Sequence, residues 1–144
     1  YLMLSKHFGR DAIDPTPIVW IKNTPGIGAP NRSWVYAYDP CFFINRGRML
    51  VKPQAFNYVK YDTIPPSQKR HPTEKPAALL RHLVQASCVS GEVVLDPFAG
   101  SGSTLVAAHQ VGCKFVGVEL HPDFYRSAAE NLAEALAVEA KEEE

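Results

Sequence analysis

The chain has 144 residues, 15 Lys+Arg against 15 Asp+Glu, a formal net charge of zero, 46% hydrophobic residues and 21% charged ones. This is the composition of an ordinary globular domain with one sizeable core, and it excludes the disordered and collagen-like classes. No apolar run nears the roughly 20 residues that span a bilayer and no charged-then-apolar leader opens the sequence, so membrane and secreted readings are set aside; beginning with Tyr1 in place of Met, the chain reads as part of something longer.

Residues 17–22 (Pro-Ile-Val-Trp-Ile-Lys) are apolar and β-branched and predict a strand. Pro25, Gly26, Gly28 and Pro30 make 23–33 a loop. Residues 34–45 are rich in aromatic and β-branched side chains and predict one or two strands, broken at Pro40. The stretch 46–70 reads as an irregular connection with one short strand at 56–61. Pro76 suits the first turn of a helix in which Leu79, Leu80, Leu83 and Val84 share a face, and Ser90-Gly91 stops it. Val93-Val94-Leu95 is a short strand, Leu105–Val111 a helix ended by Gly112, and Phe115–Val118 a second strand with Glu119 at its tip. A last helix runs from about Asp123 to Ala140, with Ala128, Leu132, Ala135 and Leu136 on one stripe. Strand–helix–strand with short connections predicts a parallel βαβ unit, covered on both faces.

Cys41, Cys88 and Cys113 are widely spaced with no Cys-x-x-Cys, so neither a disulfide framework nor a zinc site is indicated, and no metal is expected. They read as small buried apolar residues of a cytoplasmic protein. The zero net charge is unevenly distributed. From Arg46 to Lys75 seven bases face two acids, and from Gly117 to Glu144 eight acids face two bases. Such a division is compatible with a nucleic-acid face on one side, although charge alone favours plain solvated surface.

Phe98 to Thr104 lies between a strand and a helix, where glycine lets backbone N–H groups approach a ligand. A P-loop would need a lysine, and none occurs between Lys75 and Lys114. The dinucleotide fingerprint starts at Gly100 and Gly102 but meets Leu105 where its third glycine belongs. A nucleoside ligand without pyrophosphate remains. Glu119, 23 positions after Asp96, is placed to accept both ribose hydroxyls of an adenosyl group.

His71-Pro72-Thr73-Glu74-Lys75-Pro76, then Leu95-Asp96-Pro97-Phe98-Ala99-Gly100-Ser101-Gly102-Ser103-Thr104, then Gly117-Val118-Glu119-Leu120 resemble motifs X, I and II of the DNA amino-methyltransferases, in the order of the permuted β-class. These enzymes use S-adenosylmethionine to methylate adenine N6 or cytosine N4. The match is dense over 71–126. It is looser over Ile18–Lys22, Tyr38–Phe43 and Arg46-Gly47, where family members often carry Glu-Pro and this chain has Asp39-Pro40.

The resemblance implies an α/β, Rossmann-like S-adenosylmethionine-dependent methyltransferase fold, a parallel-rich sheet with helices on both faces, incomplete in this chain. Residues 1–144 would be the C-terminal part of a single methyltransferase domain, with 46–70 a basic target-recognition element and 71–140 the cofactor-binding half. Asp96 and the backbone of Phe98, Ala99, Gly100, Ser101 and Gly102 would line the methionine end of the cofactor. Thr104 would start the helix beneath it, and Glu119 would hold the ribose. Thr73, Lys75 and Pro76 would close the site, Lys75 meeting the cofactor carboxylate. Taken singly, these residues also read as a tight βα turn and, for Thr73, a helix N-cap. Double-stranded DNA is the implied partner, through Arg46, Arg48, Lys52 and Lys60, in a restriction-modification setting that admits a homodimer.

The chemistry of the family sits in an Asp/Asn/Ser-Pro-Pro-aromatic motif. A base amino group is a poor nucleophile, so the base is flipped out, stacked on the aromatic and held in line with the methyl donor. No intact copy of that motif occurs here. Asp39, Pro40 and Phe42 come nearest, with Cys41 where the second proline belongs. The expectation is that the catalytic motif lies upstream of Tyr1. Two other readings stand beside this one: a degenerate methyltransferase fold used only for binding, and a methyltransferase acting on RNA or protein.

Overall fold

The computed structural model describes residues 2–9, 12–14, 16–24, 34–46 and 56–142. The chain divides into two compact units, Tyr1–Thr63 and Ile64–Glu144. The division falls inside the stretch expected to be an irregular connection.

The first unit holds a short helix α1 (Leu2–Phe8), for which the sequence offered no signal, and strands β1 (Ile18–Ile21), β2 (Tyr38–Cys41) and β3 (Tyr58–Lys60). Their order is β2-β1-β3, with β1 antiparallel to β2 and parallel to β3. Trp20 anchors this sheet. It is buried, stands opposite Asp39 and Val59, and its indole N–H donates to the Tyr61 carbonyl at 2.8 Å. The Lys22 ammonium lies 5.6 Å from the centre of the same ring and pairs with Asp39 at 2.7 Å.

Pro40 does not break its strand. It sits within β2, opposite Val19. The Lys22 amide donates to the Ala37 carbonyl at 2.8 Å, and bonded pairs alternate along an antiparallel ladder. The Val19–Pro40 pair is therefore a non-bonded one, and the missing proline N–H costs no bond to β1. Ile13 forms an isolated bridge with Ile44, which extends the pairing beyond the strands proper.

The second unit runs α2 (Ala77–Ser87), β4 (Val93–Asp96), α3 (Ser103–Gln110), β5 (Lys114–Gly117) and α4 (Pro122–Glu142), after a single 3-10 turn at Pro66–Gln68. Pro76 stands one position before the first turn, as the N-cap of α2 with ψ of 131°, and its carbonyl accepts the Leu80 amide. Strands β4 and β5 pair in parallel, Val93 with Lys114 through Asp96 with Gly117. The helix between them packs on one side of the pair. There Val84 of α2, Ala108 of α3 and Cys113 form a core against which Val94 and Phe115 rest.

The other side of the strand pair is open among the described residues. Val93, Leu95 and Val116 are 59%, 63% and 50% exposed. Their apolar character fits the expectation of a sheet covered on both faces, but only the helix-bearing face is covered. Of the three thiols, none is in a disulfide; Cys113 is buried and Cys88 half-buried, whereas Cys41, at the end of β2, is exposed rather than packed away.

Candidate functional site

Strand β4 delivers Asp96 to the start of the glycine turn. Its Oδ1 accepts the Phe98 amide at 3.0 Å, the side chain closing the turn on its own backbone. Gly100 and Gly102 then take φ of 54° and 77°, a region where side chains are disfavoured. The Gly102 amide donates to the Ala99 carbonyl, and the Gly102 carbonyl accepts from Leu105 and Val106, which opens α3. A Cβ at Gly102 would lie 3.1 Å from the Ala128 side chain of α4, and one at Gly117 would lie 2.5 Å from a Leu105 methyl. Small residues thus let two helices sit close beneath the turn.

Glu119, just beyond β5, reaches across to that turn. Its Oε2 accepts the Gly100 amide at 2.8 Å, and its Oε1 accepts the His121 amide at 2.8 Å. These backbone donors, His121 first and then Gly100, hold the carboxyl below the usual carboxylate range.

The segment 70–76 forms the facing wall. The His71 ring lies edge-on to Phe124, 4.1 Å between centres, and its Nδ1 accepts the Thr73 amide at 3.2 Å. A Cβ at Gly100 would come within 3.5 Å of that ring. Glu74 turns back on the loop, accepting the Arg70 amide at 2.5 Å and the His71 amide at 3.3 Å.

Between these walls lies a cavity of about 150 Å³. Thr73, Lys75, Asp96, Phe98, Ala99, Gly100, Ser101 and Thr104 all line it, together with His71, Glu74, Leu80 and Ser103, which the sequence did not single out. Three of the expected residues stand elsewhere. Pro76 is buried at the N-cap of α2, and Gly102 faces Ala128. Glu119 borders a second, more apolar cavity with Leu105, Tyr125 and Leu132, and meets the lining of the first at Gly100. The four additional residues fall inside the motif blocks or one turn after them, but their facing directions depend on side-chain contacts that spacing does not report.

Asp39 is engaged by Lys22, and Pro40 lies in a neighbouring position of β2 on the opposite face of the sheet, with Phe42 exposed beyond the strand. Arg46 and Lys60 are exposed, Lys60 at the end of β3, inside the short strand expected at 56–61; Arg48 and Lys52 lie outside the described residues. Among the described residues, no group of three or more His, Cys, Asp or Glu side chains could hold a metal ion, and no helix is long and apolar enough to cross a membrane.

Comparison with known proteins shows the family and the fold. A family profile for N6/N4 DNA methylases matches residues 19–130. Over 74 residues, 51% of this chain and 25% of the relative, the sequence is 40% identical to the DNA adenine methyltransferase YhdJ of Escherichia coli K12. The fold matches that of M1.HpyAVI, solved in complex with SAM, with a TM-score of 0.70 at 22% identity, covering 91% of this chain and 68% of that one. It also matches the cytosine-N4-specific PvuII DNA methyltransferase, with a TM-score of 0.71 at 13% identity, over 93% of this chain and 59% of that one. The chain spans less than half the length of the curated relatives it matches.

Proposed function

The chain belongs to the N6/N4 DNA methylase family, and on that premise we propose that it is the cofactor-binding part of a site-specific DNA methyltransferase. The whole protein would move a methyl group from S-adenosylmethionine to adenine N6 or cytosine N4 in double-stranded DNA, in the cytoplasm. The observation that carries this reading is the single cavity shared by the 71–75 wall and the glycine turn after β4.

The residues present fit S-adenosylmethionine. Asp96 and Lys75 place opposite charges on one cavity, which suits a zwitterionic amino-acid end. Asp96 Oδ1 is committed to the Phe98 amide, and a second oxygen remains on the same carboxylate for an ammonium group. The turn backbone at Gly100 interposes no side chain. Glu119, held ionised by two amides, retains acceptor capacity for a ribose diol. When bound, the cofactor supplies an electrophilic methyl group.

Arg46 and Lys60, with Arg48 and Lys52, supply the positive charge for phosphate contact in this reading. The clamp that would hold the acceptor amino group is assigned to a part of the family domain outside these 144 residues, because no Asp/Asn/Ser-Pro-Pro-aromatic quartet occurs within them. The pairing of Asp39 with Lys22 supports that assignment, since a carboxylate already held by an ammonium is less able to take amino protons. A homodimer is compatible with this scheme and is not required by it.

Calorimetric titration of the purified protein with S-adenosylmethionine tests the reading. Saturable one-site binding, lost in Asp96→Ala, is expected. No heat of binding would return the fold to a module without cofactor.

A further inference from the structure

Six side chains, two backbone amides and one carbonyl connect the two walls of the cavity to a single helix. The Glu134 carboxylate of α4 takes the Arg70 guanidinium at 2.5 Å. The amide of that same Arg70 donates to Glu74 Oε2 at 2.5 Å, joined by the His71 amide at 3.3 Å. Glu74 Oε1 accepts the Ser103 hydroxyl at 3.4 Å. With its proton so placed, Ser103 Oγ is the acceptor for the Ser101 hydroxyl, 3.1 Å away. The Ser101 carbonyl then takes the Asn131 side-chain amide at 2.9 Å, which returns the path to α4 one turn from Glu134.

We propose that Glu74 and Asn131 are positioning residues of the cofactor cradle, holding the 70–74 wall and the glycine turn in register through this closed ring anchored on α4. The inference rests on the cofactor reading of the same cavity and adds residues that act by shaping its walls.

Three features carry it. Ser101 and Ser103 are buried, so their hydroxyls need partners, and the ring supplies one for each. Glu74 lines the cavity, yet its two oxygens take three protein donors; it is occupied in shaping the wall rather than in receiving a ligand. The ring also touches only part of the site. It fixes the segments around Ser101, Ser103 and Arg70–Glu74, whereas Glu119 is held separately by the Gly100 and His121 amides. Loosening the ring should therefore affect the amino-acid end of the ligand more than the nucleoside end. Ordering a loop in advance lowers the entropy lost on binding, which is how residues that shape a site without holding the ligand act on its affinity.

The test compares two ligands that differ in that end. S-adenosylmethionine carries the amino acid, and 5′-methylthioadenosine lacks it. Calorimetric titration of both is made with the unaltered protein and with Asn131→Asp, which replaces the donor facing Ser101 by an acceptor. Asn131→Gln, which keeps the donor, and Glu74→Gln, which puts an amide among converging donors, complete the set. Expected is a roughly ten-fold weaker affinity for S-adenosylmethionine in Asn131→Asp and Glu74→Gln. Methylthioadenosine should be bound nearly as before, and Asn131→Gln should recover part of the loss. Circular dichroism identifies variants that fold, and because the two positions lie on different elements, misfolding of one leaves the other to decide. Equal losses for both ligands, or none for either, overturn the proposal and leave the ring as ordinary packing. If the unaltered protein binds neither ligand, the cofactor reading itself falls and takes this inference with it.

Discussion

Glu119 accepts the Gly100 amide at 2.8 Å, so a residue two positions past one strand holds the turn that follows its neighbour. The bond joins positions 19 residues apart and couples a carboxylate to a point of the turn where a side chain is absent. Anything bound against the Gly100 backbone meets a turn already held from behind, and the same carboxylate has lone pairs left to offer.

Removing that carboxylate tests its second use. Glu119→Ala should weaken S-adenosylmethionine binding about ten-fold or more, the size expected when an ionised acceptor is lost. Unchanged affinity by calorimetric titration would take Glu119 out of the ribose role.

Acid should expose the same bonds. Glu119, through the His121 and Gly100 amides, and Glu134, through the Arg70 side chain, are both held below the usual carboxylate range. A carboxyl depressed in the folded state adds stability that is fully present above its unfolded value, near ~4.3, and lost as pH falls through the folded value. The melting temperature should hold from about pH 6 to 5 and decline below about pH 4. In the double variant Glu119→Gln, Glu134→Gln that decline should be shallower. An acid limb identical to that of the parent would show that neither group contributes.

The two close-packed glycines should respond unequally. At Gly102 an added Cβ meets Ala128 backbone as well as side chain, and φ is 77°, so neither partner can yield. At Gly117 the nearest atom is the end of the Leu105 side chain, which can change rotamer. Gly102→Ala is expected to cost ~1–3 kcal/mol and Gly117→Ala less. Denaturant unfolding orders them, and the reverse order would mean that Leu105 is held more rigidly than its position implies.

On DNA, the count of useful bases is smaller than the sequence total. Arg70 is committed to Glu134 and Lys22 to Asp39, whereas Arg46 and Lys60 are exposed. Replacing Arg46 and Lys60 together by Gln should flatten the slope of log K against log salt by about 2. An unaltered slope would return both to plain solvated surface.

The 144-residue chain on its own should not transfer a methyl group to DNA. Binding a methyl donor lowers no barrier unless the acceptor nitrogen is held in line, and such positioning supplies ~7–11 kcal/mol. Assays with labelled cofactor should stay at background. Transfer abolished by Asp39→Ala would instead make Asp39, Pro40 and Phe42 the clamp.

Local chemistry made most of the second unit legible. Apolar strands of three or four residues, a glycine turn between strand and helix, and a leucine face at helical spacing are short-range signals, and β4, α3, β5 and α4 lie within three residues of where they were expected. Eight of the cavity residues between Thr73 and Thr104, though not Glu74, Leu80 or Ser103, were legible for a different reason, since the motifs of a family carry their positions with them. What could not be read is what depends on pairs distant in sequence. Pro40 looked like a strand breaker because its partner strand, and with it the non-bonded register, is invisible in a linear pattern. Asn131 looked like one more polar residue of a long helix, and only its contact with Ser101, 30 positions earlier, distinguishes it.

The face of β4 and β5 that is open among the described residues bears on how this chain behaves in a tube. A net charge of zero gives its molecules no mutual repulsion near neutral pH, and Val93, Leu95 and Val116 present them with something to stick by. Solubility should therefore be least around pH 7 and improve on either side as charge accumulates. Sulfate and phosphate, being excluded from protein surfaces, will precipitate it at lower concentrations than chloride does.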